Sequence, residues 1–421
     1  MSDSVKGIKK LLAKKEVMLL TVLRPIILSE VVTGVISYYL FQTGIIHRDL
    51  FLQSLVLSYL QPIIYIAQSV RFLGDYIRSP RASWVLLSSI SATSLILIGF
   101  LVKELSLASL VAALVLLFTT VAPGSIMGTL AFGVFKRVLK EEQEYMALSQ
   151  IQRAMYISSA LVESLLLFLI GLYGVAVITF SFIFLGVYYL IVNIFLALKI
   201  DIERTNNGGK GFSISKEALS KYWEILRKNK RYFYGVFLLR IPFVLVSASS
   251  LYFYSLFGSS ADYYLFASIW NIVGIVGIVA AILTASELMK SLKTLSNGSL
   301  VLLMSSICFF VYLIAVYTLK FTPYVYFALL LPIVYIANAL IIALNMISDV
   351  VVPKEYFGHI TSIESVMSLL LSDASLIGIG YLAQNVSVTL SLVIVTLGVV
   401  IPSAFVYFKA KDINLINDSS S

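Results

Sequence analysis

Uninterrupted apolar runs of roughly 20 residues recur along this 421-residue chain, and they constrain its fold more than any other feature. A segment that crosses a bilayer must satisfy its backbone hydrogen bonds internally, which a helix of about 20 mostly apolar residues does. Twelve segments qualify. The first six are Val17–Phe41, Phe51–Leu73, Ser83–Val102, Leu107–Val134, Leu148–Leu172 and Gly174–Leu198. The second six are Phe233–Phe257, Tyr263–Ala285, Ser299–Leu319, Pro323–Ser348, Ile360–Ala383 and Ser387–Phe408. The runs are continuous rather than alternating, which excludes a closed β-barrel. The expected fold class is an all-α polytopic membrane protein with twelve transmembrane helices.

Composition narrows the function. Hydrophobic residues make up 59% of the chain and charged residues 13%, about half the ~25% usual in soluble domains. That excludes a soluble enzyme, a disordered chain and a fibrous protein. The net charge of +9 fits loops facing an anionic leaflet, so the bilayer is the expected partner and nucleic acid is not. Cys308 is the single cysteine, and His47 and His359 are the only histidines. No disulfide and no metal site is expected from so few. Both histidines read as loop residues without a partner. The phosphate-binding Gly-x4-Gly-Lys-Ser/Thr sequence and the His-Glu-x-x-His sequence are both missing, so neither an enzyme nor a bound cofactor is expected.

Lysine and arginine set the orientation. With the N-terminus inside, only Arg48, Lys103 and Lys320 fall in outside loops, and Arg24, Arg153 and Arg240 fall within spans. All the others of the 31 lie inside. The expectation is a plasma-membrane protein with both termini cytoplasmic, acting as a monomer. Val5 to Lys15 is basic, is not followed by a cleavage site, and reads as a cytoplasmic anchor helix. The longest hydrophilic stretch divides six spans from six. The expected units are therefore 1–198, a linker at 199–231 and 232–421. Within the linker, Ser213 to Lys230 reads as a basic helix on the membrane surface.

The two halves resemble each other. Leu23-Arg24-Pro25 opens the first span and Leu239-Arg240-Ile241-Pro242 the seventh. The same offset lays Tyr38 on Tyr254 and Trp84-Val85-Leu86-Leu87 on Leu300-Val301-Leu302-Leu303. Glu144-Tyr145 before the fifth span matches Glu355-Tyr356 before the eleventh. Repeats of this kind are common in carriers.

With these features the chain resembles the major facilitator superfamily. Gly74-Asp75-Tyr76-Ile77-Arg78-Ser79-Pro80-Arg81 is similar to that family's G-x-x-x-D-R-x-G-R-R loop. Leu139 to Ala160 and Val352 to Tyr381 resemble the approaches to the fifth and eleventh spans in its enterobactin-exporter and macrolide-efflux-like branch. The branch's Gly-Pro pair late in the fifth span is replaced here by Val162-Glu163-Ser164. The resemblance implies two six-helix bundles around a central cavity and export of a small amphipathic molecule, coupled to protons. Uptake, facilitated diffusion, or a non-transporting receptor that keeps the fold are the alternatives. The resemblance also implies a cytoplasmic gate of Asp75, Arg78 and Arg81, with Asp75 near the cytoplasmic end of a facing helix and Arg78 and Arg81 available for pairing across the bundle interface. On that reading, Asp75→Asn opens the cytoplasmic side.

Intramembrane polar residues supply the site candidates, since a charge at the bilayer centre costs about 2.5–3.5 kcal/mol or more. Glu30, Glu163 and Asp373 lie deepest and are the proton-coupling candidates. Glu163 shares a helical face with Gln152, Tyr156 and Ser159. Gln61 and Tyr65 lie on a polar stripe of the second span, and Asn338 and Asn345 on one of the tenth. With Asn271, Tyr38, Arg24 and Arg240 they make the expected substrate cavity.

Overall fold

The computed structural model describes residues 3–22, 66–101, 107–173, 176–202, 216–247, 252, 256, 263–320 and 325–415. Among these, the regular elements are helices, and a lone bridge joins Thr294 to Asn414. Helices α1 (Asp3–Leu12) and α2 (Lys15–Val22) lead in. A 3-10 turn, Val70–Tyr76, precedes α3 (Pro80–Leu101). Then come α4 (Leu107–Val138), α5 (Glu142–Tyr173) and α6 (Ala176–Lys199). The linker helix is α7 (Lys216–Lys228). A π-helical segment, Tyr232–Leu238, runs into α8 (Arg240–Ser247). The chain continues through α9 (Tyr263–Leu292), α10 (Leu295–Leu319), α11 (Val325–Val351), α12 (Phe357–Asn385) and α13 (Val388–Lys409).

Seven of the described helices are long and apolar enough to cross a membrane: α3, α4, α6, α9, α10, α11 and α13. Helices α5 and α12, with 32 and 29 residues, are also long enough but carry charged residues along their length. This is a multi-pass membrane protein, and its outer faces show why. Phe180, Phe184, Leu198 and Leu370 lie more than half exposed, which only lipid makes favourable.

Helix pairings recur between the two halves. Helices α3 and α6 pack together, as do α10 and α13; α3 packs on α4, as α10 does on α11. Small residues permit these close crossings. A Cβ on Gly186 would lie 2.7 Å from the Ile96 side chain, and one on Gly99 would lie 2.8 Å from Phe182. Hydrogen bonds tie the same pairs. The buried Trp84 indole donates to Asn193 Oδ1 at 3.1 Å, and Ser299 donates to the Ser403 carbonyl at 2.6 Å. A buried polar group without a partner would cost about 1–3 kcal/mol, so these contacts fix which faces meet.

The ends of the helices nearest the two termini form one layer, called here the terminal end. The N-terminal segment is a helix, as its sequence suggests, but it packs on the protein. Leu11 is buried, α1 lies against both α5 and α9, and Lys14 pairs with Glu144 at 2.6 Å. Within the described residues the linker helix runs over Lys216–Lys228. It packs on the π segment and on α12, leaving Leu219 and Trp223 exposed.

Span seven is broken in a way the sequence explains. Pro242 has no N–H to donate back to Leu238, so an α-helix cannot run unbroken through Leu239. The preceding turns relax into the wider π form. That form rotates less per residue and brings Tyr232 toward the same face as Arg240.

Candidate functional site

Two features make up the site: a latch between the halves at the terminal end, and a polar cavity behind it. The latch starts from Asp75, in the 3-10 turn after the second span. Its carboxylate meets the first turn of α12. There Gly358 and His359 give it backbone N–H donors, and the ring Nδ1 of His359 lies 2.8 Å from Asp75 Oδ2. With Nδ1–H donating to Asp75, Nε2 accepts from the Tyr76 hydroxyl at 3.0 Å. The Phe72 N–H donates to Ser362 Oγ at 3.2 Å, and its ring leans on the imidazole. The start of a long helix favours an anion, which adds to these bonds. Burial still wins: it holds the Asp75 carboxyl above its ordinary value, and the imidazole and N–H donors offset only part of that rise.

Gly358 makes the approach possible. A Cβ there would lie 2.6 Å from Asp75 Oδ2 and 2.9 Å from the Arg71 carbonyl. Gly358→Val should therefore prevent the latch from closing while leaving each half folded. Cross-linking yield between cysteines at Arg78 and Glu355 should fall severalfold in that variant, and an unchanged yield would contradict the geometry.

Further contacts join the halves nearby. Phe132 stacks on Phe357, Gln150 donates to the Ile282 carbonyl at 2.8 Å, and Arg153 donates to Asn338. These cross-half contacts cluster toward the terminal end.

Behind the latch lies a cavity of about 460 Å³. Among the described residues its wall carries three guanidiniums (Arg71, Arg153 and Arg240) and two carboxylates (Asp349 and Glu364). Glu364 accepts from the Tyr232 hydroxyl and pairs with Arg240 at 3.1 Å. Gln68, Gln152 and Asn345 add neutral polar groups.

The structure redistributes the sequence-expected residues. Gln152, Arg240 and Asn345 line the cavity, and Asn338 is buried against Arg153. Glu163 is half-buried on α5 and is not among the cavity's lining residues. Arg24, Glu30, Tyr38, Gln61 and Tyr65 lie outside the described residues, as do the side chains of Tyr156, Asn271 and Asp373.

Two expectations need correction. Among the described residues Arg81 does not pair across the bundle interface. It reaches Asp201 of its own half at 3.5 Å, and Arg78 points outward, exposed. Asp75 faces the start of α12 and the His359 imidazole there. His359 is also not a loop residue without a partner: it is buried in α12 between Asp75 and Tyr76. The Gly-His pair after Tyr356-Phe357 was its signal, masked because the matching carboxylate lies 284 positions away.

No family model matches the sequence, and no curated protein matches it. Solved structures do. The proton:xylose symporter XylE bound to 6-bromo-6-deoxy-D-glucose is similar over 93% of this chain and 95% of its own, with TM-score 0.63 and 12% identity. The human organic anion transporter MFSD10 is similar over 96% and 99%, with TM-score 0.63 and 11% identity. A mutant of the nucleoside transporter NupG is similar over 93% and 98%, with TM-score 0.58 and 14% identity. The chain has the major facilitator fold.

Proposed function

We propose that the protein is a secondary carrier that works by alternating access, exporting a small amphipathic molecule across the plasma membrane in exchange for protons. The observation that carries this reading is the placement of the latch. Polar contacts that can part join the halves at one end, and a charged cavity lies directly behind them. Rocking the halves apart at the latch would expose that cavity to the terminal side, which is the alternating-access geometry. The similar folds of a sugar symporter, a nucleoside transporter and an organic anion transporter support the carrier class. The excess of lysine and arginine at the terminal end supports cytoplasmic termini.

Proton coupling needs a carboxylate that changes charge during the cycle. Glu30, Glu163 and Asp373 are the proposed carriers, and their Gln variants mimic the protonated form. In liposomes, such a variant should keep exchange of labelled substrate across the membrane and lose accumulation driven by a pH gradient. If all three variants keep full gradient-driven transport, those acids are structural. A receptor that merely keeps the fold would give no counterflow with any ligand.

A further inference from the structure

A second cavity, about 490 Å³, opens between the π segment with α8 and the middle of α12. Its walls are apolar: Phe237, Ile241, Met367, Leu370 and Leu371. Its mouth is open, since Leu370 is 62% exposed on a helix whose outer face meets lipid. Tyr222 of the linker helix closes it toward the terminal end. Arg240 and Glu364 line this groove and also line the polar cavity. The ion pair is therefore the junction between a lipid-facing apolar channel and the charged interior.

The junction has unused donors. Arg240 gives one N–H to the Glu364 carbonyl and one to Glu364 Oε2, both at 3.1 Å. A guanidinium carries five, so three face the cavities without a partner among the described residues. Both carboxylate oxygens of Glu364 are already engaged, by Tyr232 and by Arg240. Charge points the same way, with three guanidiniums against two carboxylates among the described residues of the polar wall. A ligand at this junction has to accept hydrogen bonds and bring negative charge. A planar carboxylate fits a guanidinium edge best.

We propose that the ligand is a single-chain amphipathic anion. Its acid group docks on Arg240, and its alkyl tail lies in the groove between span seven and α12, which it enters sideways from the leaflet. This rests on the carrier reading and gives it a substrate class. The tail exchanges lipid contacts for the apolar walls of the groove, and the head completes the donor set of Arg240. The route also explains why an apolar channel ends on an ion pair, a place a purely structural groove would avoid.

The test uses the full-length protein in lipid nanodiscs and four probes: dodecanoate, dodecanol, dodecyltrimethylammonium and acetate. Dodecanoate should raise the melting temperature and bind saturably, while the other three should not. Leu371→Trp fills the groove and should weaken dodecanoate binding at least about tenfold. The paired change Arg240→Gln with Glu364→Gln removes the head site without stranding a charge, and should abolish that binding. Equal binding of dodecanol or of dodecyltrimethylammonium overturns the proposal, as does full dodecanoate affinity in Leu371→Trp. If dodecyltrimethylammonium binds and alters inter-half distances, the anion proposal fails and the carrier reading stands. If no probe binds and inter-half distances never change, both fail.

Discussion

Replacing Asp75 with alanine should open the terminal end. The substitution removes the acceptor for the His359 ring and the carboxylate beside the N–H groups of Gly358 and His359, at a site that is 1% exposed. Leaving buried donors unmet costs about 1–3 kcal/mol each. A total near 3 kcal/mol shifts the open-to-closed ratio about a hundredfold. Each half keeps its own packing, so the protein should still fold. Asp75→Asn should behave differently. Arg81 is turned to Asp201, Arg78 is exposed, and burial already disfavours the charge of Asp75. Asparagine keeps an oxygen for the N–H donors and lets the imidazole switch tautomer toward Tyr76, so the closed state should persist.

The sign of the pH effect follows from the same residue. Closure raises the Asp75 pKa above the ordinary 3.8, so the closed end binds a proton more tightly than the open end. That contribution is complete below about the ordinary value and is lost as pH rises through the raised one. Acidification should therefore favour closure in the native protein and have less effect in Asp75→Asn. A steeper pH response in the Asn variant would contradict this.

The largest loss of stability should come from Glu364→Leu. It leaves the Arg240 guanidinium and the Tyr232 hydroxyl facing an apolar side chain. Removing one partner of a buried ion pair costs about 3–5 kcal/mol, and the value here should sit at the low end because the Arg240 side chain is 31% exposed to the cavities. The double variant Arg240→Leu with Glu364→Leu should recover most of the loss, because an apolar pair no longer strands a charge. Melting temperatures in lipid nanodiscs check both. Recovery absent from the double variant would mean the pair serves the fold by more than mutual neutralisation.

Much of the architecture was legible from local pattern. Run length marked the spans, the Arg-Pro and Arg-Ile-Pro openings of spans one and seven marked the repeat, and the Gly-Asp-Tyr segment marked the place where the halves meet. Long-range partners were not legible. His359 and Asp75 come together only because the turn Val70–Tyr76 packs on the start of α12. Arg81 is close in sequence to Asp75 but is drawn away to Asp201 at the end of α6. The Arg240–Glu364 pair was half visible. Arg240 stands out as a charge at the opening of span seven and reads as a cavity residue, but nothing local in the sequence marks Glu364 as its partner. Only the packing of the broken span seven on α12 shows them sealed together between two cavities.

The central claim is that the terminal end parts and rejoins as the carrier cycles. It is tested most directly by spin-label distances between Arg78→Cys and Glu355→Cys, in a Cys308→Ser background in liposomes. The account predicts two distance populations, with the shorter dominant in the otherwise unaltered protein and the longer dominant after Asp75→Ala. A single distance that stays the same in the Asp75→Ala background would contradict it.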